Sequence, residues 1–251
     1  EKNLKLAACH QNRFNYPIQL LKKAIEENRL GKIFNGMARI LWTRDNNYYL
    51  QAPWRGTWAL DGGTLMNQCI HNIDLINWMM DDEIDTVYSQ TSNYIRNIEA
   101  EDYGVIIIRY KSGKIATIEG SAIIYPKNLE ETLTITGEKG TVVIGGMAVN
   151  KINTWRVEGD NEEKYLSIDC GDPNSVYGYG HEALYKDFLD ALDENREPLV
   201  DGVAGLEAIK IILAAYKSQK TGLPVKFDEF KEFSTLDMKD INLGIGKHGN
   251  N

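Results

Sequence analysis

The apolar positions of this chain follow two periods, which predict helices near both ends and strands between them. Apolar residues recur at helical spacing after Pro17 and over residues 64–80, 182–195 and 202–221. Between residues 84 and 168 the pattern changes to short β-rich runs separated by turns. The predicted strands are 33–43, 86–96, 103–110, 114–124, 130–136, 141–144 and 149–158.

Tight turns at residues 111–114 and 137–140 join consecutive strands, which favours antiparallel pairing. The element order therefore predicts an α+β fold, an open, mainly antiparallel β-sheet with helices on one face. The run from Val105 to Ile108 is apolar on both sides of its strand. With one face left uncovered, we expect a homo-oligomer, a dimer or a tetramer, that forms through the sheet face.

Three segments are expected along the chain. Residues 1–14 are interpreted as the remnant of a last Rossmann strand and a hinge, 15–227 as an α/β substrate-binding and oligomerisation domain, and 228–251 as a loosely held tail. No Gly-x-Gly-x-x-Gly fingerprint stands between a predicted strand and a predicted helix in the sequence. We therefore expect that the N-terminal Rossmann domain is absent and that this chain alone does not bind a dinucleotide tightly.

Composition excludes several classes of partner. The 251 residues carry a formal net charge of -8, which argues against binding to nucleic acid. No apolar run approaches the ~20 residues of a membrane span, and the first residues lack a signal-peptide pattern, so a cytoplasmic protein without a membrane partner is expected. The three cysteines and four histidines show no metal-binding spacing, so no metal site is predicted.

The segment after Gly62-Gly63 carries the candidate chemistry. If residues 64–80 form one helix, then Asn67, His71 and Asp74 lie along one face at i, i+4 and i+7. This row could be structural, with His71 bonded to Asp74, or catalytic, because an imidazole with an ordinary pKa of ~6.5 exchanges protons near neutral pH. Asn67 cannot accept a proton, so its role would be to orient a hydroxyl or the imidazole.

From Gly62 to Asp74 the sequence resembles the Gfo/Idh/MocA family of nicotinamide-dependent oxidoreductases, and the likeness extends over nearly the whole chain. The resemblance implies NAD or NADP as cofactor, oxidation of a sugar secondary alcohol, and His71 as a catalytic residue with Asn67 beside it. Asn67 stands where the family usually has Asp. An Asn at this position resembles the branch of bacterial UDP-N-acetylglucosaminuronate 3-dehydrogenases. That implies a nucleotide-sugar (UDP-sugar) substrate of polysaccharide biosynthesis. The family's Glu-Lys-Pro lysine is missing from this chain.

The remaining candidates bind substrate or cofactor. Guanidinium groups suit an anionic nucleotide sugar, so Arg13 and Arg55 are its candidate cations, with a surface ion pair as the alternative for each. By resemblance, Trp54 and Arg55 lie near the cofactor. His181 follows an aromatic loop and either contacts substrate or caps a helix. The candidate substrate-binding residues are Gln11, Asn12, Arg13, Gln68 and His181.

Two other functions stay open on the sequence alone. One is a non-catalytic sugar-binding or oligomerisation scaffold, which would use the same sheet without chemistry. The other is an NAD-dependent glycosidase, which shares the family fold.

Overall fold

The computed structural model describes residues 4–171, 173, 175–231, 233–241 and 243. Its centre is a sheet of eight strands: β1 (Ile33–Leu41), β2 (Ile84–Ser92), β3 (Tyr103–Tyr110), β4 (Ile115–Ser121), β5 (Glu130–Gly137), β6 (Gly140–Gly145), β7 (Lys151–Val157) and β8 (Val225–Lys226). Their order across the sheet is β7-β6-β5-β1-β4-β3-β2-β8. The β1–β4 pair is parallel and the other neighbours are antiparallel.

Seven helices accompany the sheet in the described part of the chain: α1 (Tyr16–Glu26), α2 (Asn46–Leu50), α3 (Thr64–Asn67), α4 (Ile70–Met80), α5 (Glu162–Leu166), α6 (Gly180–Asp193) and α7 (Gly202–Thr221). Short 3-10 helices span Gln11–Phe14 and Thr235–Met238. The last long helix starts where Asp201 accepts a hydrogen bond from the Ala204 amide and ends at Gly222 in a left-handed conformation.

The predicted α+β class, with a mainly antiparallel sheet, is confirmed. One helix prediction is wrong, because residues 64–80 form two helices separated by a turn at Gln68 and Cys69. Each of the two helices, α3 and α4, is positioned by contacts with residues that are distant in the sequence. The Glu101 carboxylate and backbone fix the start of α3, whereas α4 packs on the sheet.

The core lies between one face of the sheet and helices α4 and α7. Alternate strand residues such as Ile106, Ile108 and Ile118 are fully buried on this face. Gly36 lets the helix approach closely, because a Cβ there would lie 2.5 Å from the Ile76 side chain. The sheet therefore provides a rigid platform under α4, the helix that carries His71.

The opposite face is mixed rather than apolar throughout, which corrects the expectation drawn from the strand pattern. Ile107 and Met37 are each 42% exposed there. Beside them, Arg39 donates hydrogen bonds to Glu119 and Glu130. The face thus combines an apolar patch with an ion-pair network.

The segment after residue 227 is partly packed rather than loosely held, so the expectation for a tail is wrong for its described residues. Phe230, Met238 and Leu243 are buried in the core cluster. The Asn93 amide donates to the carbonyl of Leu243. Residues 244–251, also assigned to the tail, lie outside the described residues.

Candidate active site

The 3-10 helix after His10 is joined to α4 by a buried ion pair. Arg13 donates from Nε to Oδ2 of Asp74 at 2.7 Å and from Nη2 to Oδ1 at 2.6 Å. Its guanidinium also lies 4.9 Å from the centre of the Trp78 ring. Burial raises the pKa of the Asp74 carboxyl, and Arg13 opposes that shift. Two of the three guanidinium nitrogens of Arg13 are thus engaged by Asp74, and a contact of Arg13 with an anionic substrate stays a prediction.

His71 bonds to a second histidine and not to Asp74. Its Nδ1 lies 3.1 Å from Nδ1 of His10, and the two rings meet edge to face at 80°. Burial lowers the pKa of His71 to about 4, with a further lowering by His10 and an opposing effect of Asp74. The pKa of His10 is lowered to about 4 by burial and then by Arg13. Both imidazoles are therefore neutral at pH 7, as a proton acceptor requires.

Asn67 is fixed by polar partners on two sides. Its amide nitrogen donates to both oxygens of Asp61, at 2.9 and 3.0 Å. Its oxygen accepts from the hydroxyl of Tyr48 at 2.9 Å and from Gln68 at 2.5 Å. Because the helix is broken after Asn67, this side chain does not continue a row with His71 and Asp74 as expected. Its observed bonds instead orient the Tyr48 hydroxyl.

The double glycine allows close contact within the protein. A Cβ at Gly63 would lie 2.1 Å from the Glu101 carboxyl carbon and 2.3 Å from its backbone oxygen. Glu101 in turn accepts hydrogen bonds from the Leu65 amide and from the hydroxyl of Tyr216, both at 3.0 Å. Burial raises the pKa of Glu101 to about 8. The glycine pair thus anchors the start of α3 on a buried carboxyl.

Five of the predicted site residues line one cavity, which opens beside His71. Three polar side chains on its wall are buried: Gln68, Asn72 and Glu131. The Asn72 amide lies close enough to the Glu131 carboxyl to lower its pKa through a hydrogen bond, whereas Gln68 Oε1 has no hydrogen-bond partner in the described part of the chain. A cavity on which several polar side chains converge is where a polar ligand is expected to bind. The predicted residues that line it are Gln11, Asn12, Asn67, Gln68 and His71.

A cation that the sequence reasoning missed also lines this cavity. Arg44 follows β1, and its guanidinium lies 4.7 Å from the Trp42 ring and 5.3 Å from the Tyr48 ring. It donates to the backbone oxygen of Thr43 at 2.8 Å. No carboxylate of the described residues lies within ion-pair distance of it. Arg44 is thus the guanidinium placed to meet an anionic ligand beside His71.

Glu131 is a second missed residue. It is the second residue of β5, is 3% exposed, and lines both this cavity and a neighbouring one that extends towards Met147 and Asn153. Burial raises its pKa to about 8, against smaller opposing effects of Asn72 and Arg44. At neutral pH the carboxyl is therefore largely protonated and can donate a hydrogen bond. No local pattern distinguishes this glutamate from others on strands, so the sequence offered no signal for it.

The other candidates lie at the edges of the site. Arg55 stacks 4.1 Å from the Tyr48 ring and donates to the Tyr48 backbone oxygen, so it supports Tyr48 from behind. It lines a separate cavity. Trp54, 41% exposed, lies against the same guanidinium.

His181 lies in the first turn of α6, with its ring 6.3 Å from that of Tyr177, which lines the cavity beside His71. The N-cap of this helix is Tyr179, so the alternative of His181 as the cap is wrong. His181 is close enough to lower the pKa of His71. Its contact with substrate stays a prediction.

A family model described as "Oxidoreductase family, C-terminal alpha/beta domain" matches residues 22–227. The chain belongs to the Gfo/Idh/MocA oxidoreductase family. The resemblance inferred from the motifs around His71 is thereby confirmed. In the described residues, no group of three or more His, Cys, Asp or Glu side chains is placed to hold a metal ion. None of the described helices has the length and apolar character needed to cross a membrane.

Solved structures of two dehydrogenases in this family are similar to the chain. The WlbA dehydrogenase of Bordetella pertussis, in complex with NADH and UDP-GlcNAcA, is 37% identical with a TM-score of 0.77, over 88% of this chain and 63% of that one. The WlbA dehydrogenase of Chromobacterium violaceum, with the same two ligands, is 36% identical with a TM-score of 0.79, over 88% of this chain and 62% of that one.

A curated relative is also similar, the myo-inositol 2-dehydrogenase of Thermotoga maritima. It is 24% identical over 86% of this chain and 63% of its own length. The chain thus spans about 63% of the length of these relatives.

Proposed function

We propose that this chain is the substrate-binding part of an NAD(P)-dependent dehydrogenase that oxidises a secondary hydroxyl of a nucleotide sugar such as UDP-N-acetylglucosaminuronate. The observation that carries the proposal is the cavity itself, which is lined by a neutral His71, by Arg44 and by several amide and carboxyl side chains. Amide and carboxyl side chains match the hydroxyl and acetamido groups of a sugar. The likeness to dehydrogenases solved with UDP-GlcNAcA supports the same substrate class.

His71 is the proposed proton acceptor. Oxidation of the alcohol removes a hydride from carbon and a proton from oxygen, and the neutral imidazole takes that proton. A nicotinamide cofactor, when bound, accepts the hydride. Asn67 and Tyr48 form a fixed pair of polar groups on the same cavity wall and orient the reacting hydroxyl.

Arg44 is proposed as an anion-binding residue. A nucleotide uronate carries negative charge on its carboxylate and its pyrophosphate, and the chain's net charge of -8 repels it unless a cation is presented locally. A guanidinium held between two aromatic rings is positioned for such a contact.

This chain would supply only part of the binding site for the cofactor. Trp54 exposes its ring and is therefore available to a nicotinamide cofactor, whereas Nε of Arg55 is buried. A glycine fingerprint that binds a pyrophosphate lies between a strand and a helix, and the sequence has none between its predicted strands and helices. We therefore propose that NAD or NADP is held mainly by a Rossmann domain joined to this chain.

The test is turnover by a protein in which a Rossmann domain precedes this chain, called here the complete protein. NADH formation is followed with UDP-N-acetylglucosaminuronate, UDP-N-acetylglucosamine, myo-inositol and glucose. We expect the first to have the highest kcat/KM, and Arg44→Gln to lower kcat/KM for it more than for myo-inositol. Equal turnover of all four, or turnover of the uncharged sugars alone, would reject a nucleotide sugar as substrate.

A further inference from the structure

A second histidine, His10, contacts His71 and is not among the residues predicted for the site. We infer that His10 is a positioning residue that holds His71 in the tautomer with an unprotonated Nε2, by linking it to the carboxylate of Asp74. His10 and Asp74 are buried and His71 is partly buried, where the 3-10 helix meets α4.

The Asp74 carboxylate determines which nitrogen of His10 carries the proton. Nε2 of His10 lies 3.9 Å from Oδ1 of Asp74. A proton on Nε2 is attracted by that charge, whereas a lone pair there would face it and be repelled. Arg13 binds both carboxylate oxygens and so favours the ionised form of Asp74. His10 therefore carries its proton on Nε2 and leaves Nδ1 as an acceptor.

The contact between the two rings transmits this choice to His71. The Nδ1 atoms are 3.1 Å apart, a distance at which one proton must lie between them. Two lone pairs would repel each other, and two protons would collide. Since His10 Nδ1 is the acceptor, His71 Nδ1 is the donor. His71 then has its lone pair on Nε2, the nitrogen left for a ligand in the cavity that this residue lines.

Both rings stay neutral at pH 7, so the choice of tautomer has a chemical consequence. Burial lowers the pKa of each histidine to about 4, and the charged or titratable groups that act on them are Arg13, Asp74 and His181. In the opposite tautomer, His71 Nε2 would carry a proton and could not accept one. His10 therefore keeps the imidazole ready to act as a base.

The consequence for catalysis rests on the proposed function. When Nε2 of His71 takes a hydroxyl proton, the ring becomes an imidazolium whose Nδ1–H already points at His10. Transfer of that second proton to Nδ1 of His10 restores a neutral His71 and places the positive charge beside Asp74. The series of side chains Asp74, His10 and His71 thus accommodates the proton taken from the substrate without leaving a charged group next to the substrate.

The first test does not depend on catalysis. Long-range 1H–15N correlation spectra of the 15N-labelled chain at pH 7 report which nitrogen of each histidine is protonated. We expect His71 to be protonated at Nδ1 and His10 at Nε2 in the wild type. In His10→Ala, His71 should move towards protonation at Nε2, and His10→Asn, whose side-chain oxygen can accept from Nδ1–H, should restore the wild-type state.

His181→Ala is the matched control, because His181 also lies near His71 but is not bonded to it in the structure, and it should leave the tautomer unchanged. Protonation of His71 at Nε2 in the wild type would overturn the inference. So would an unchanged His71 signal in His10→Ala. The backbone amide spectrum of each variant verifies that the fold is retained.

The second test uses the complete protein. His10→Ala should lower kcat by about 10- to 100-fold with little change in KM, and His10→Asn should recover most of that loss. A purely structural role would lower the amount of folded enzyme but not alter kcat per active molecule. If no sugar is turned over, the proposed function fails while the tautomer result stands. If the tautomer changes but kcat does not, the catalytic part of the inference is rejected.

Discussion

Arg13 and Asp74 lie 61 positions apart and form a bidentate ion pair in which the side chain of Asp74 is 2% exposed. Removing one partner of a buried pair leaves the other charge unpaired in a medium of low polarity. The pair holds the segment before α1 against α4 and so keeps His10 beside His71.

We expect Arg13→Gln to lower the free energy of unfolding by about 3–5 kcal/mol, because the buried Asp74 carboxylate loses its partner. Urea denaturation measures the loss. Asp74→Asn added to the same chain should recover part of it. Arg156→Gln, which removes an exposed pair with Glu162, is the control and should change stability by less than about 1 kcal/mol. Equal losses for the two arginines would contradict this account.

His71→Ala in the complete protein should lower kcat about 10²- to 10⁴-fold, the usual contribution of general acid–base catalysis. The KM should change much less, since neighbouring polar groups keep the cavity shape. His181→Ala, at the edge of the site, should have a smaller effect on kcat. Near-normal turnover by His71→Ala would remove the assignment of this residue as the base.

The pH dependence of stability should reveal Glu131. Its pKa is about 8 in the folded chain, above the ~4.3 of an unfolded glutamate, so the folded state binds more protons between those values. The contribution of this group is fully present below pH 4.3 and is lost as the pH rises to 8. Glu131→Gln should therefore stabilise the chain increasingly from pH 5 to 8, relative to the wild type, by at most about 1.4 kcal/mol per pH unit.

Thermal denaturation at several pH values provides this measurement, with the exposed Glu138→Gln as control. A difference between Glu131→Gln and the wild type that stays constant with pH would show that the carboxyl is ionised in the fold. His10 and His71, with lowered pKa values, contribute the opposite slope, since their stabilising effect is lost as the pH falls from 6.5 to about 4. Comparing each variant with the wild type cancels that background.

Gly63→Ala should destabilise the chain by several kcal/mol or prevent folding, because the new Cβ would overlap both the carboxyl and the backbone of Glu101. Gly113→Ala is the matched control. A Cβ added at Gly113 would have no other atom within 4 Å. The φ of 95° at this position nevertheless makes alanine unfavourable by roughly 1–2 kcal/mol. Denaturation midpoints of the two variants compare overlap with backbone strain. A milder effect at Gly63 would mean that Glu101 moves aside.

The proposed homo-oligomer uses the open face of the sheet, where Ile107 is 42% exposed beside Val105 and Met37. Ile107→Glu should convert the oligomer to a monomer, because a charge in an apolar interface is desolvated without a partner. Leu166→Glu is the control, since this residue is also 42% exposed but lies on α5. Light scattering measures the mass, and a wild-type monomer near 28.4 kDa would reject the interface.

Local signals in the sequence determined most of the secondary structure. The strand predicted over residues 103–110 and the helix predicted over 202–221 have the observed bounds, because period-2 and period-3.6 patterns and the cap residues Asp201 and Gly222 act over a few positions. The fold class followed from the order of these elements. Motif spacing around His71 was enough for the family, since a helix start and a glycine pair are also local features.

The tertiary structure alone decided which polar groups meet. Arg13, expected to bind substrate, pairs with Asp74, and His71 meets His10 across 61 positions of chain. Arg44 and Glu131 come to one cavity because β1 and β5 are neighbours in the sheet, a pairing that no local pattern specifies. Burial then changes the chemistry of these groups, since a carboxyl or an imidazole loses water only when distant segments close around it. The sequence thus determined the elements, whereas long-range packing decided the partners, charges and tautomers of the site.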